Sequence, residues 1–177
     1  MRIDPKYFNK FILIAAVFGA VIIVFFTIHN KQSREQAFKH QLAQADSLRY
    51  RKLKQVFSDD STRIQKYSQS YVVLDFWGSQ SGPSRSSHQQ LAKLKKQYPD
   101  KLTIIAATVR DPMNAVTKYQ DKNNYPFIYV DGFKLVRELE VPGIPTQIIF
   151  KPGGKIMQTI LGYKDSTVYD KLKQELQ

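Results

Sequence analysis

The sequence predicts an α/β domain, with a central mixed sheet flanked by helices, behind an N-terminal transmembrane helix and a helical stalk. Three observations predict this organisation. An uncharged apolar run occupies residues 11–28, and a stretch without Gly or Pro follows at 32–56. From residue 57 to 177, short β-rich runs alternate with amphipathic segments. Such alternation is typical of strands that are connected by helices.

The apolar run at 11–28 contains a single polar side chain, that of Thr27. A helix of this length spans the hydrocarbon core of a bilayer, which is roughly 30 Å thick. A cleaved signal peptide is the alternative, but its apolar region is usually about 7–15 residues long and ends in small residues. Bulky residues, Phe25, Phe26 and Ile28, close this run. We therefore expect an uncleaved anchor that follows a short tail at 1–10.

The basic residues are concentrated towards the N-terminus. The chain has 27 Lys and Arg against 15 Asp and Glu, and residues 1–56 contain ten of these basic residues but only three of the acidic ones. Basic residues beside a membrane helix favour anionic lipid head groups, and no RNA- or DNA-binding motif accompanies them. We expect contact with membrane lipid and none with nucleic acid. Equal numbers of nearby basic residues flank the run, so charge does not decide the orientation of the helix: Arg2, Lys6 and Lys10 before it, Lys31, Arg34 and Lys39 after it.

Residues 29–56 are predicted to form a basic helical stalk, because their composition favours helix. A broken apolar stripe runs along the predicted helix: Phe38, Leu42, Ala45, Leu53 and Val56. The stripe is interrupted by Arg49 and Lys52, which favours a solvated spacer. The alternative is a helix that packs against a partner subunit or lies on the membrane.

The domain at 57–177 is predicted to contain five strands and four helices. The first strand, helix and strand imply a right-handed βαβ unit with a parallel pair. The Gly- and Pro-rich stretch at 151–155 predicts a hairpin between the last two strands. Strands are expected at 71–76, 102–109, 126–130, 146–150 and 156–161, and helices from Pro83, at 111–121, at 134–140 and from Ser166.

Four motifs and the order of elements resemble the thioredoxin-like superfamily, and within it the membrane-anchored TlpA-like thiol-disulfide oxidoreductases. The motifs are Asp75-Phe76-Trp77 at a strand end, Ser81-Gly82-Pro83-Ser84 at a helix start, Gly143-Ile144-Pro145-Thr146, and Gly162 after the last strand. Where that family has Cys-Gly-Pro-Cys, this chain has serine at both cysteine positions, and it contains no cysteine at all. The resemblance covers 57–177 and also predicts the anchor.

The loss of sulfur excludes dithiol chemistry, because thiol–disulfide exchange requires a thiolate. We therefore expect no catalytic residue in the degenerate motif Ser81, Gly82, Pro83 and Ser84, and a protein that is not an enzyme as written. The resemblance implies that Asp75 corresponds to the family's buried acid. Without a thiol to serve, Asp75 is interpreted as an inherited polar group of the core, satisfied by water or a hydroxyl.

The resemblance also implies a groove in which relatives align an extended peptide. It would be formed by Trp77, Ile144 and Pro145, with a cis peptide bond before Pro145. Addition of a strand to such a groove needs no sulfur, so binding can survive the loss of chemistry. For Trp77, simple packing against the helix is an equal alternative.

Two further kinds of site are considered and set aside. Ser84 and His88 are four residues apart, but a nucleophilic serine needs a base within reach and an oxyanion site. Neighbouring side chains on a helix surface usually face water, so we expect no serine catalysis. The chain has only three histidines, His29, His40 and His88, and no cysteine. We therefore expect no metal site and no cofactor.

Three functions remain open. The leading hypothesis is a redox-inactive binding or accessory subunit of an envelope protein complex, whose partner is unidentified. The second is a Cys-to-Ser inactive variant of a membrane-anchored thiol-disulfide oxidoreductase, and the third is a structural module that contacts partners through its stalk and anchor. Further departures from the family at Gln80, Ser87 and Gln89 favour natural loss over engineered removal. The resemblance implies a single-pass protein of the inner membrane with an extracytoplasmic domain.

Overall fold

The computed structural model describes residues 5–43, 46–165 and 169–177. It contains a long N-terminal helix followed by an α/β domain. The helices are α1 (Pro5–Ala43), α2 (Gly82–Gln97), α3 (Met113–Asn123), α4 (Phe133–Glu138) and α5 (Asp170–Leu176), with 3-10 turns at Asp46–Tyr50 and Ile64–Tyr67. The strands are β1 (Leu53–Lys54), β2 (Ser61–Thr62), β3 (Tyr71–Trp77), β4 (Leu102–Thr108), β5 (Ile128–Asp131), β6 (Thr146–Phe150) and β7 (Ile156–Leu161).

The central sheet has five strands in the order β5-β4-β3-β6-β7. Strands β3, β4 and β5 are parallel, whereas β6 runs antiparallel to both β3 and β7. The mixed α/β arrangement predicted from the sequence is therefore confirmed. Strand β3 is central and buried along nearly its whole length, so its carboxyl end and the turn after it are positioned by the rest of the sheet.

Each face of the sheet carries its own apolar cluster, and β3 contributes to both. Side chains of a strand alternate between the two faces. Val73 and Trp77 lie in the cluster that includes residues of α2, α3 and α5. Val72 and Leu74 lie in the opposite cluster, which includes residues of α1 and α4. Asp75 has the same parity as Val73 and Trp77, so its carboxylate lies on the face covered by α2.

Helix α1 is the helix in the described residues that is long and apolar enough to cross a membrane by length and composition. It contains 39 residues, which corresponds to about 58 Å at 1.5 Å per residue. Its large apolar side chains between residues 11 and 28 are exposed, for example Phe18 at 67% and Phe25 at 64%. The predicted apolar span thus lies within one continuous helix.

The segment predicted as a stalk differs from one continuous helix. Helix α1 ends at Ala43, and the chain then forms a 3-10 turn and the short strand β1. Phe38, Leu42 and Leu48 are buried in the cluster that also contains α4 side chains. The prediction of a continuous α-helix was therefore wrong for residues 46–56. Composition favoured helix there, but packing of the apolar stripe against the sheet decided the backbone.

The strands and helices of the domain lie close to their predicted positions. Strands β6 and β7 have the predicted bounds, and β3 is longer by one residue. Helices α3 and α4 are displaced by two residues or fewer at each end from their predicted bounds. Helix α5 begins at Asp170, and the predicted helix start at Ser166 lies outside the described residues.

Candidate functional site

The turn between β3 and α2 is held by the serines of the degenerate motif. The Ser81 hydroxyl accepts a hydrogen bond from the Ser84 N–H at 3.2 Å and caps the N-terminus of α2. Serine is favoured at this position because its side chain satisfies one of the free N–H groups of the first turn. Pro83 lies in that turn, where proline removes no helical hydrogen bond. The motif therefore serves as a helix start.

Further hydrogen bonds tie this turn to its surroundings. Ser84 is fully buried, and its hydroxyl accepts a hydrogen bond from the Gly78 N–H at 3.4 Å. The Ser79 N–H donates to the carboxylate of Asp111, which follows β4. The guanidinium of Arg85 donates to the Ser79 carbonyl at 3.0 Å. The turn is thus fixed by both α2 and the segment after β4.

Ile144 and Pro145 lie beside the turn, and the peptide bond between them is cis, as the resemblance implies. A Cβ atom added at Gly78 would lie 2.9 Å from Cδ1 of Ile144. Glycine at position 78 therefore permits the close approach of these two segments. The Ile144 side chain remains 37% exposed. In the described part of the chain, its backbone N–H and C=O make no hydrogen bond.

The Asp75 carboxylate is fully buried beneath this turn. Its Oδ2 lies 2.9 Å from Nε2 of His88, and its Oδ1 accepts a hydrogen bond of 2.9 Å from Nε2 of Gln147. Burial of a carboxylate is costly unless hydrogen bonds replace those lost from water. The expected partners were water or a hydroxyl, whereas the structure places an imidazole and a carboxamide there.

The hydrogen bonds of His88 indicate its tautomer. Burial raises the pKa of Tyr119, so its phenol keeps its proton and remains a donor. The Tyr119 hydroxyl lies 3.1 Å from Nδ1 of His88. A neutral imidazole accepts at one nitrogen and donates at the other. The arrangement fits an imidazole that accepts from Tyr119 at Nδ1 and donates from Nε2 to Asp75.

Three more buried groups extend these contacts across the sheet. Gln147 pairs with Asp75 in the β3–β6 register, and its Nε2 also donates to the Ser87 hydroxyl. The Tyr169 hydroxyl donates to Oε1 of Gln147 at 2.8 Å and lies 3.2 Å from the Ser87 hydroxyl. We call the connected set the Asp75 network: Asp75, His88, Tyr119, Gln147, Ser87 and Tyr169.

Trp77 does not contribute to an exposed groove. Its side chain is fully buried, with ring centroids 4.5 Å from His88 and 4.7 Å from Tyr119. The prediction of an exposed groove residue at 77 was wrong, because the side chain points to the face that α2 and α3 cover. The packing alternative describes its environment. Of the three predicted groove residues, Ile144 and Pro145 lie beside the turn.

Ser84 and His88 also lie inside the protein, although neighbouring residues on a helix were expected to face water. Both side chains are fully buried. The two ring nitrogens of His88 are occupied by Asp75 and Tyr119, so neither is free to accept a proton from Ser84. The described residues contain no cluster of three or more His, Asp or Glu side chains that could hold a metal ion.

Sequence reasoning missed most members of the Asp75 network. Ser87 was noted only as a departure from the family, and His88 only beside Ser84. Gln147 follows Thr146 at the start of a strand that otherwise consists of apolar residues, and this polar residue was a usable signal. Its pairing with Asp75 depends on strand register, which the sequence does not specify.

Comparison with known proteins agrees with this geometry. Residues 69–156 match the family model described as Thioredoxin-like. The domain has a thioredoxin-like fold. In this domain the central sheet has the order β5-β4-β3-β6-β7, α2 starts at the Ser81–Ser84 turn, and the Ile144–Pro145 bond is cis.

Solved structures similar to this chain include several oxidoreductases. They are a Chlorobium tepidum protein assigned as thiol:disulfide interchange protein DsbE (20% identity, TM-score 0.64, covering 72% of this chain and 93% of that one), a secreted Mycobacterium tuberculosis disulfide oxidoreductase homologous to E. coli DsbE (15%, 0.62, 75% and 98%), and a DsbF homologue from Corynebacterium diphtheriae (22%, 0.63, 71% and 83%). At these identities the similarity establishes the fold.

The Asp75 network predicts strong coupling between Asp75 and His88. Leaving a buried polar group unsatisfied typically costs about 1–3 kcal/mol, and more for a charged group, so Asp75→Ala and His88→Ala should each lower the free energy of unfolding. The double variant should lose less than the sum, by about 1–3 kcal/mol, because each single change strands the other group. Chemical denaturation of the four proteins measures this cycle. The exposed neighbour Gln89→Ala is the control, and strict additivity of the two changes would contradict the pairing.

Proposed function

We propose that this chain is a membrane-tethered, redox-inactive thioredoxin-like protein that acts as a binding or accessory subunit of an envelope protein complex. The observation that carries the proposal is the role of the two serines in the motif. Serines stand at both positions where relatives need sulfur, and both hydroxyls have structural roles. The exposed segment at Ile144 remains beside them.

The environment of the motif also supports the absence of exchange chemistry. An attacking group needs a nearby base that can accept its proton. Asp75, the family's buried acid by resemblance, is bonded to His88 and Gln147 instead of to a motif side chain. The same atoms that would assist a thiol therefore stabilise the core here.

The segment around Ile144 supplies a surface that suits partner binding. A partly exposed apolar side chain lies next to a backbone N–H and C=O that have no internal partner in the described residues. An extended peptide can satisfy such groups by adding a strand. Because the turn is fixed by Asp111 and Arg85, little ordering would be needed on binding, and this favours affinity.

The exposed apolar surface of α1 supports membrane tethering. Large contiguous apolar patches are rare on soluble proteins, and the large side chains of residues 11–28 are exposed along the helix. A bilayer would cover this surface. Beyond residue 28, α1 continues to Ala43 and its last turns pack on the domain. The anchor and the domain are thus joined by one helix without a loop of Gly or Pro residues.

A sulfur-free variant of a thiol-disulfide oxidoreductase is the second candidate, and the similarity to such enzymes favours it. The Asp75 network argues against removal of two thiols alone. Ser87, one of the departures from the family, bonds to both Gln147 and Tyr169. A change confined to positions 81 and 84 would not produce these contacts. The native codons at 81 and 84 decide between the two candidates.

Burial of part of the stalk limits the surface through which a purely structural module could contact its partners. Phe38 and Leu42 are buried against the domain, so this part of the apolar stripe is occupied. A partner that bound through the stalk would have to use its exposed polar residues or the membrane helix. Variants of Ile144 and of the stalk therefore separate this alternative from the groove.

The first prediction concerns redox activity. The unmodified chain should not reduce insulin disulfides, because it has no thiol. Ser81→Cys/Ser84→Cys should gain measurable activity, since the helix N-terminus lowers a thiol pKa. The rate should stay below that of an active thioredoxin because Asp75 is held by His88. Each single Cys variant is the control, and insulin reduction by the unmodified chain at a thioredoxin-like rate would refute redox inactivity.

The second prediction concerns topology. The charge flanking 11–28 does not decide the orientation, and the resemblance to envelope proteins supports a domain outside the cytoplasm. An alkaline phosphatase fusion after Gln177 should therefore be active in bacterial cells. A β-galactosidase fusion at the same residue is the matched control. An active β-galactosidase fusion together with an inactive phosphatase fusion would show that the domain lies in the cytoplasm, contrary to the prediction.

The third prediction locates the partner surface. Ile144→Asp should reduce the amount of a co-purified partner by about tenfold or more, as expected for a central apolar contact that contributes more than 1 kcal/mol. The domain should stay folded because the side chain is partly exposed. Trp77 is not used as a test, since truncating a buried aromatic residue would destabilise the core. Quantitative mass spectrometry of proteins captured from solubilised membranes measures the effect, with thermal melting beside it.

Tyr50→Asp is the matched control for Ile144→Asp. Tyr50 is exposed and lies in the stalk, next to Arg49. Arg49 bonds to Gly153 in the hairpin after β6, at the opposite end of the sheet from the motif. Undiminished capture by folded Ile144→Asp would show that the groove is a relic. Loss of capture in Tyr50→Asp alone would favour the stalk.

A further inference from the structure

A cleft with a volume of 660 Å³ opens between α2 and α3, next to the motif turn. One face of each helix lines it. Arg85 and Gln89 are four residues apart on α2, and Asn114, Lys118 and Lys122 follow at four-residue spacing on α3. Residues at this spacing share a helix face. The cleft is therefore built by regular secondary structure, which holds its lining side chains in fixed relative positions.

The lining of the cleft is positively charged. Arg85, Lys118 and Lys122 contribute three cations, and no Asp or Glu residue is among the lining residues. Within the described residues, none of the three forms an ion pair. Like charges that face a common space without counter-charges favour an anionic ligand. The cleft thus selects ligands by charge.

A buried hydroxyl in the cleft lacks a partner. Ser79 is only 7% exposed and lines the cleft, and its Oγ makes no hydrogen bond among the described residues. Buried polar groups in folded proteins are nearly always hydrogen-bonded, and exceptions often mark sites that a ligand completes. The Ser79 backbone is already fixed by Asp111 and Arg85. The Oγ atom itself is enclosed in this structure, so a ligand would reach it by movement of side chains at the cleft, without a rearrangement of the turn.

The remaining lining favours a peptide over a simple ion. Side-chain carboxamides offer a donor and an acceptor together, which matches a peptide group. Four of them line the cleft, Gln80, Gln89, Asn114 and Asn123, although Nδ2 of Asn123 already donates to the Tyr119 carbonyl. Their number exceeds what a single carboxylate or phosphate can use. A segment with main-chain amides and acidic side chains matches both the carboxamides and the cations.

The cleft is also close to the surface proposed for the partner. Gly78 packs against Ile144, and Ser79 and Gln80 line the cleft. Ser79 and Gln80 directly follow Gly78, and two residues span at most about 7 Å, so this edge of the cleft lies close to Ile144. We propose that this cleft binds an acidic peptide segment of a protein partner. The inference rests on the proposed function in that the ligand is a protein.

A binding experiment with defined peptides tests the cleft. The full chain in non-ionic detergent is titrated with a fluorescein-labelled peptide in which Glu alternates with Ser, and with the same peptide carrying Gln in place of Glu. The Glu peptide should bind at least about tenfold more tightly, and added salt should weaken it, because charge selects the ligand. Equal affinity for both peptides would overturn the inference.

Two variants separate the cleft from the general basic charge of the chain. Lys118→Glu/Lys122→Glu should weaken the Glu peptide by about tenfold or more, as expected when charge attraction becomes repulsion. Lys93→Glu/Lys96→Glu changes the net charge equally on α2 at positions that do not line this cleft. This control should stay within about twofold. Equal losses in the two variants would show binding by overall charge and overturn the proposal.

Ser79→Ala provides an arm without a change in charge. The thermal midpoint of the protein should stay unchanged or rise, because the variant removes a hydroxyl without a partner among the described residues. Binding of the Glu peptide should weaken by about threefold or more, because one hydrogen bond to it is lost. Unchanged affinity would show that the Ser79 hydroxyl does not bind the peptide and would contradict the proposal. Displacement of the peptide by free glutamate at equal concentration would identify a small-anion site and also overturn it.

The peptide assay distinguishes failure of this inference from failure of the proposed function. Its readout is affinity for a defined probe and does not depend on capture of the native partner. Retained peptide binding in Ile144→Asp would support the cleft as a binding site in its own right, even if partner capture proved independent of the groove. No peptide binding together with Ile144-dependent capture would overturn the cleft alone.

Discussion

The buried carboxylate of Asp75 is the constraint on which the arrangement around the motif depends. It lies on the central strand, has no contact with solvent and is bonded to His88 and Gln147. These bonds fix α2 and β6 relative to β3, and the contacts of Ser87 and Tyr169 carry the network to α5. A carboxylate in this position must be satisfied or neutralised. The surrounding polar residues supply that satisfaction.

This requirement determines what the groups around the motif do. In a redox site, the groups near a thiol adjust its ionisation, whereas here the neighbours of the motif stabilise the fold. The Ser81 hydroxyl caps α2, and the Ser84 hydroxyl accepts from the backbone of Gly78. A thioredoxin-like fold can therefore keep its turn and its helix start after sulfur is lost, because both depend on backbone hydrogen bonds that a hydroxyl can make.

Two surfaces lie near the motif, and they differ in character. Ile144 offers an apolar contact and backbone groups without a hydrogen bond among the described residues, while the α2–α3 cleft offers cations and carboxamides. Apolar contact contributes affinity, and charge contributes selectivity and association rate. Their proximity through Gly78, Ser79 and Gln80 would let one extended segment use both.

The sequence by itself determined the order of the five central strands and the helices between them, the apolar span at 11–28 and the position of the motif, because these follow from local periodicity and turn residues. Strands β1 and β2 were not predicted. Tertiary structure decided the rest. The stripe at Phe38 and Leu42 is buried only because a sheet face is there to receive it, and Trp77 is covered by α2 together with the more distant α3. Likewise, Asp75 meets Gln147 only through the β3–β6 register. Partners of buried polar groups and the exposure of single side chains depend on long-range packing, which no local pattern encodes.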